Sequence, residues 1–109
     1  MYAVLIAGGR GERLRPLTSN VPKPMVAVAG KPIIQHQIEW YLAQDIDHFV
    51  ISCGYLHEVI ESHFGDGTSL GVSITYAIED TPMGRGGGLR LGMQQIPQNE
   101  ELVLASNAD

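Results

Sequence analysis

Residues 8–25 hold most of the chemistry this sequence can offer. Gly8-Gly9-Arg10-Gly11-Glu12-Arg13-Leu14-Arg15-Pro16-Leu17-Thr18 is followed shortly by Pro22-Lys23-Pro24-Met25. The glycines at 8, 9 and 11 let backbone N–H groups come close to a ligand and allow backbone angles that other residues resist. Arg13 and Lys23 add two fixed positive charges. A glycine-rich turn with basic residues behind it makes a cradle for a polyanion, foremost a nucleoside triphosphate. Five of the seven basic residues (Arg10, Arg13, Arg15, Lys23 and Lys31) fall early, within residues 10–31, on a chain whose net charge is -5. A locally basic loop on an acidic protein suits a small anion better than a long one, which argues against nucleic acid as a partner.

The cradle must be carried by something rigid. Tyr2 to Ala7 is an unbroken apolar run directly before it, as expected for a strand of a parallel sheet covered on both faces. From 8 to 30 the chain carries prolines at 16, 22 and 24 and no helical period. The expectation there is a long irregular loop, and loops of that length tend to be functional. Lys31-Pro32 opens a helix at a position where proline's missing N–H costs nothing. Ile34, Ile38, Tyr41 and Leu42 share one face of that helix, which fades between Gln44 and Asp47.

A second apolar strand runs over 49–53, and Gly54-Tyr55 turns it into another helix. Leu56, Val59, Ile60, His63 and Phe64 share the inner face of this helix, which places His63 in the core. Val72, Ile74, Tyr76 and Ile78 alternate with Ser73, Thr75 and Ala77, the mark of a strand with one wetter face near a sheet edge. A second glycine-rich loop covers 79–88. A weaker helix follows, with Leu89, Met93 and Ile96 inward, then a fourth strand over 102–105.

The alternation of strand and helix predicts an α/β domain with a parallel sheet and right-handed crossovers. Ligands of such sheets bind beyond the carboxyl ends of the strands. Both glycine-rich loops and Asp109 leave from that one rim, and this coincidence is the sequence's strongest sign of a site. A phosphate-binding P-loop requires Ser or Thr after Gly-Lys, whereas Gly30-Lys31 is followed by Pro32. The dinucleotide fingerprint requires a helix starting within the glycines, which the prolines oppose. It remains a competing reading, as does a plain tight turn with solvated arginines.

The remaining candidates carry less. Cys53 is the one cysteine and sits in a strand, so it is expected to be a buried, inert thiol. His36, His48 and His57 lack metal-ligand spacing. Trp40 and Tyr41 are expected to pack in the core or at its rim. With 109 residues and 44% hydrophobic residues, the composition is that of one small folded domain. The apolar run at 3–7 is shorter than a signal-peptide core of about 7–15 residues, and no run nears the ~18 needed to span a bilayer. The expected setting is the cytoplasm, without a membrane.

Taken together, AVLIAGGRGERLRPLT, VPKPMVAVAGKPII, FGDG, the IED-TPMG-RGGG segment and Ser106-Asn107-Ala108-Asp109 closely resemble the sugar-phosphate nucleotidyltransferases, over essentially the whole chain. The resemblance implies a Rossmann-like three-layer α/β sandwich, mostly parallel. It implies that 1–109 form the N-terminal nucleotide-binding part of a longer catalytic domain. It also implies a reaction in which an NTP and a sugar 1-phosphate give an NDP-sugar and pyrophosphate with Mg²⁺. Under it, Ala7, Gly8, Gly9, Gly11, Glu79 and Gly84 bind the nucleotide. Arg13 neutralises the departing pyrophosphate, Lys23 stands between the α-phosphate and the incoming sugar phosphate, and Asp109 is a metal ligand.

Glu79 falls at a base-reading position. A carboxylate accepts two hydrogen bonds, which matches the neighbouring N1–H and N2–H of guanine and tilts the expectation to GTP with mannose or heptose 1-phosphate. Arg85 stands where the family usually has Thr. A nucleotide-binding or regulatory fragment without catalysis is the alternative, and a structural or subunit-interface domain with no ligand a third. The open sheet edge past the fourth strand is expected to favour self-association.

Overall fold

The computed structural model describes residues 2–7, 23–54, 56–79, 91–96 and 102–107, with backbone only for Lys23 and for 102–107. Strand β1 (Tyr2–Ala7) leads to a one-turn 3₁₀ helix at Lys23–Met25 and a hairpin of β2 (Ala27–Val28) and β3 (Lys31–Pro32). Helix α1 (Ile33–Leu42), β4 (His48–Cys53), α2 (His57–Phe64), β5 (Ser73–Ile78) and β6 (Leu102–Asn107) follow, and residues 91–93 are helical.

The main sheet has the order β5-β4-β1-β6, with every pairing parallel. The chain steps outward from β1 to β4 to β5, then returns to lay β6 on the free side of β1. This is the reversal of strand order at which open α/β sheets bind their ligands. One face packs on α1 and α2: Leu5, Phe49 and Ile51 meet Ile34, Ile38, Ile60 and Phe64 in one buried cluster. On the other face Val4, Val50 and Ala77 meet Leu91 and Ile96. The molecule is thus a Rossmann-like three-layer α/β sandwich, as the sequence predicts. Both faces are covered, which is why β1 and β4 read as apolar runs, whereas β5 at the edge alternates.

The structure departs from expectation at several points. The stretch 8–30 is not irregular throughout: the 3₁₀ helix and the hairpin organise its last part. The hairpin's two-residue turn has Ala29 at φ 53° and Gly30 at φ 82°, the paired positive angles of a type I′ turn. Pro32 caps α1 from within β3 instead of opening the helix. Helix α1 ends with Asp45 at φ 68°, Asp45 N–H bonded to Leu42 O and Ile46 N–H to Tyr41 O, a Schellman-type stop.

The inward line of the eight-residue α2 runs through Ile60 and Phe64. His63 is exposed, its ring edge-on to Phe64. Trp40 is 61% exposed and only Tyr41 is buried. Met93 is 46% exposed, because Gly92, Leu91 and Ile96 form the face toward the sheet. Strand β6 runs on to Asn107, two residues beyond expectation, since Ser106 and Asn107 pair with Leu5 and Ile6 of β1. No described helix is long and apolar enough to cross a membrane.

Gly92 sets how closely its helical turn lies on the sheet: a Cβ there would come 2.7 Å from Val4 Cγ1. Val4 is fully buried and β-branched, so it has little freedom to yield. Gly92→Ala is expected to lose about 1–3 kcal/mol of stability, measured by urea unfolding. An unchanged midpoint would mean that this layer is not tightly packed.

Candidate functional site

Register aligns the strand ends. Ala7 pairs with Cys53, Cys53 with Ile78, and Ile6 with Asn107. The segments leaving after Ala7, Cys53, Ile78 and Asn107 therefore start from one edge of the sheet. Of the sequence candidates, Ala7 is the last residue of β1 and is buried, and Glu79 follows β5 directly. Gly8, Gly9, Gly11, Arg13, Gly84 and Asp109 lie outside the described residues, as does Arg85. The structure thus aligns the roots of the predicted loops and describes Glu79 in full.

Glu79 is held from both ends. Its N–H donates to Cys53 O at 2.8 Å, extending the β4–β5 ladder by one rung. Its side chain lies over Gly54, where a Cβ would sit 2.9 Å from Glu79 Cγ and 3.4 Å from Oε1. Oε2 is buried and has no hydrogen-bond partner among the described residues. A carboxylate oxygen removed from water and left unpaired is costly, so this atom is suited to accept a donor from a ligand.

Lys23 is positioned by its neighbours. Pro24 is fully buried and Met25 is 9% exposed within the core cluster. The hairpin behind them is pinned to α1. Ile33 N–H donates to Val26 O at 3.0 Å, and His36 Nε2 donates to Val28 O at 2.6 Å. Lys31 Nζ donates to Glu39 Oε1 at 2.7 Å, and Gln35 Nε2 to Glu39 Oε2 at 2.9 Å. The Lys31 hydrogen bond, aided by Gln35, holds the Glu39 carboxyl below its ordinary range.

Past Gly54, Leu56 takes a left-handed φ of 53° before α2, and His57 N–H bonds Gly54 O at 3.0 Å. The His57 ring lies between carboxylates, with Nδ1 2.7 Å from Glu61 Oε2 and Nε2 3.1 Å from Glu58 Oε1. No group of three or more His, Cys, Asp or Glu side chains suited to a metal occurs among the described residues. Met25, Glu58, Val59, Ser62 and His63 line an open groove beside α2. The sequence reading treats Gly54 only as the turn into α2. The signal it passes over is a glycine at the carboxyl end of an inner strand.

Comparison with known proteins gives likenesses of three kinds. The sequence model of the family described as Nucleotidyl transferase matches residues 2–108. A D-glycero-alpha-D-manno-heptose 1-phosphate guanylyltransferase of Aneurinibacillus thermoaerophilus is 43% identical over 110 aligned positions, covering 100% of this chain and 46% of the relative. A mannose-1-phosphate guanylyltransferase of Mycobacterium tuberculosis is 45% identical over 87 positions, 80% of this chain and 24% of the relative. HddC from Yersinia pseudotuberculosis, solved in complex with GMP-PN, superimposes with a TM-score of 0.82 at 27% identity, covering 99% of this chain and 47% of that one. The chain spans less than half the length of each of these relatives.

Cys53 lies at the rim but is not a nucleophile. It is fully buried, and burial, with smaller contributions from Glu61, Glu79 and Glu58, pushes its thiol up from 9.0 to about 12. In the unfolded chain the thiol ionises near 9.0, while the folded chain keeps the proton to about 12. This contribution to stability is whole below pH 9 and is lost as pH rises toward 12. Burial also raises the Tyr76 hydroxyl above its ordinary value, so unfolding in urea at about pH 8 and about pH 10.5 is expected to show a loss of which Cys53→Ala removes about 2 kcal/mol. An identical slope in that variant would assign the effect to other groups.

Proposed function

The chain belongs to the nucleotidyl transferase family, and from that we propose that it carries the nucleotide-binding half of an enzyme moving a guanylyl group from GTP to a sugar 1-phosphate of the mannose or heptose type. The observation that carries this reading is the shared edge of strand ends, with the buried, unpartnered Oε2 of Glu79 on it. A carboxylate that only accepts hydrogen bonds suits the two adjacent donors of guanine. The guanylyltransferase relatives from Aneurinibacillus thermoaerophilus and Mycobacterium tuberculosis support the same base.

In the proposed reaction an oxygen of the sugar phosphate attacks the α-phosphorus of GTP in line. The bond to the bridging oxygen breaks and pyrophosphate leaves. No covalent enzyme intermediate is required, so the protein's part is positioning and charge stabilisation. The backbone at Ala7, Gly8, Gly9, Gly11 and Gly84 holds the nucleotide. Arg13, able to make several contacts at once, takes the charge growing on the departing pyrophosphate. Lys23, a point charge, stands between the α-phosphate and the incoming phosphate, where the geometry shifts during transfer. Asp109 offers the oxygen donor that Mg²⁺ prefers. A bound Mg²⁺ supplies further charge neutralisation at the phosphates. The cytoplasm is the proposed compartment.

Titration of the chain with GTP, UTP, CTP and dTTP in the presence of Mg²⁺ tests the reading. GTP is expected to bind most tightly, and Arg13→Ala to weaken it about tenfold or more. Equal affinity for all four nucleotides, or binding of none, would overturn the proposal. Glu79→Gln replaces an acceptor oxygen with an NH₂ donor and is expected to shift the GTP-to-UTP affinity ratio toward UTP. With GTP, Mg²⁺ and mannose 1-phosphate, these 109 residues alone are expected to release little pyrophosphate.

A further inference from the structure

We infer that Gly54 is a specificity-positioning residue: its missing side chain is the cradle that sets the Glu79 carboxylate in the pose that reads the base. The inference rests on the proposed role of Glu79 and adds a residue that touches no ligand itself.

The argument starts from what a side chain at position 54 would meet. A Cβ there would lie 2.9 Å from Glu79 Cγ, 3.2 Å from Glu79 O and 3.4 Å from Oε1. These three nearest atoms all belong to one residue, so among the described residues it is Glu79 that comes closest to this space. Gly54 does not have a left-handed φ, unlike Gly30, Gly65, Gly67 and Gly71. Backbone conformation therefore does not demand glycine here. Room for Glu79 does.

The rest of the local structure fixes the backbone on both sides of that space. Its backbone is tied to β4 by the N–H bond to Cys53 O, so the residue cannot back away from position 54. Gly54 is fixed in turn, since its carbonyl accepts the first N–H of α2 from His57. With both backbones anchored, the contacts of an added methyl group with Cγ and Oε1 are relieved by rotating the Glu79 side chain, and the 3.2 Å contact with Glu79 O by a backbone shift of a few tenths of an ångström. That rotation takes Oε2 out of the buried position where it lacks a partner among the described residues. A ligand donor matched to that oxygen loses its acceptor, while the phosphate end of the site is untouched.

A double-mutant cycle in nucleotide binding tests this, using the unaltered chain, Gly54→Ala, Glu79→Ala and the double variant, each titrated with GTP and UTP. Gly54→Ala is expected to weaken GTP about tenfold and to leave UTP within about twofold. In the Glu79→Ala background the same change is expected to have no further effect on either nucleotide. Equal losses for GTP and UTP, unchanged GTP affinity, or additive effects in the double variant would each overturn the inference. If Gly54→Ala alone does not fold, the double variant is expected to fold, because removing Glu79 Cγ clears the closest contact and leaves only the milder one, with Glu79 O at 3.2 Å. Failure of both to fold would assign Gly54 a structural role. Lack of nucleotide binding by the unaltered chain would instead bring down the proposed function itself.

Discussion

The parallel ladder between β1, β4 and β5 is the constraint on which the rest depends. Backbone hydrogen bonding locks Ala7, Cys53 and Ile78 into one row. Because the register is set by backbone bonds over six residues of each strand, the three strands end at the same height, with Gly54 and Glu79 directly following two of them. A slip of one residue would turn Leu5, Phe49 and Ile51 away from α1 and α2 and break the larger core cluster. The burial that stabilises the sheet thus also sets the site's alignment, and neither can change without the other.

Lys23 depends on a different device. Its 3₁₀ turn is short and has no stability of its own. It is held because Pro24 and Met25 are sunk in the core, and because the hairpin that follows is tied to α1 by His36, Lys31, Gln35 and Glu39. These polar ties are exposed or only partly buried, and individually weak. Their value is geometric, since each fixes the hairpin to a helix that the core already holds. A basic residue next to a buried proline is thereby carried on a rigid mount, although it belongs to no long helix or strand.

What could be read from the sequence follows from how local the governing physics is. The strands at 2–7, 48–53 and 73–78 and the helices α1 and α2 were legible because hydrophobic period alone decides them. The rim was legible for the same reason: once strand ends are known, Ala7 and Glu79 fall on it. The hairpin was not, because its strands are two residues long and its turn places alanine, not asparagine or aspartate, at a positive φ. His63 and Met93 obey the helical period yet lie outside, since a short helix touches its sheet along a narrower line than the period suggests. Gly54 was out of reach because its neighbour Glu79 is 25 residues away, and only the register of β4 against β5 brings them together.

The position of β1 in the sheet has a consequence for how the molecule assembles. Its two partners arrive at very different times: β4 begins at residue 48, and β6 only at residue 102. Until that last strand is in place, one side of β1 presents an open row of amide and carbonyl groups. Pairings so distant in sequence demand large loop closures before they give any reward, which slows folding. A chain emerging N-terminus first can build β1, α1, β4, α2 and β5 as one continuous unit, but must then wait for β6. Among the described strands, β6 comes latest in the sequence and β1 earliest, so the pairing of β1 is finished only when β6 arrives.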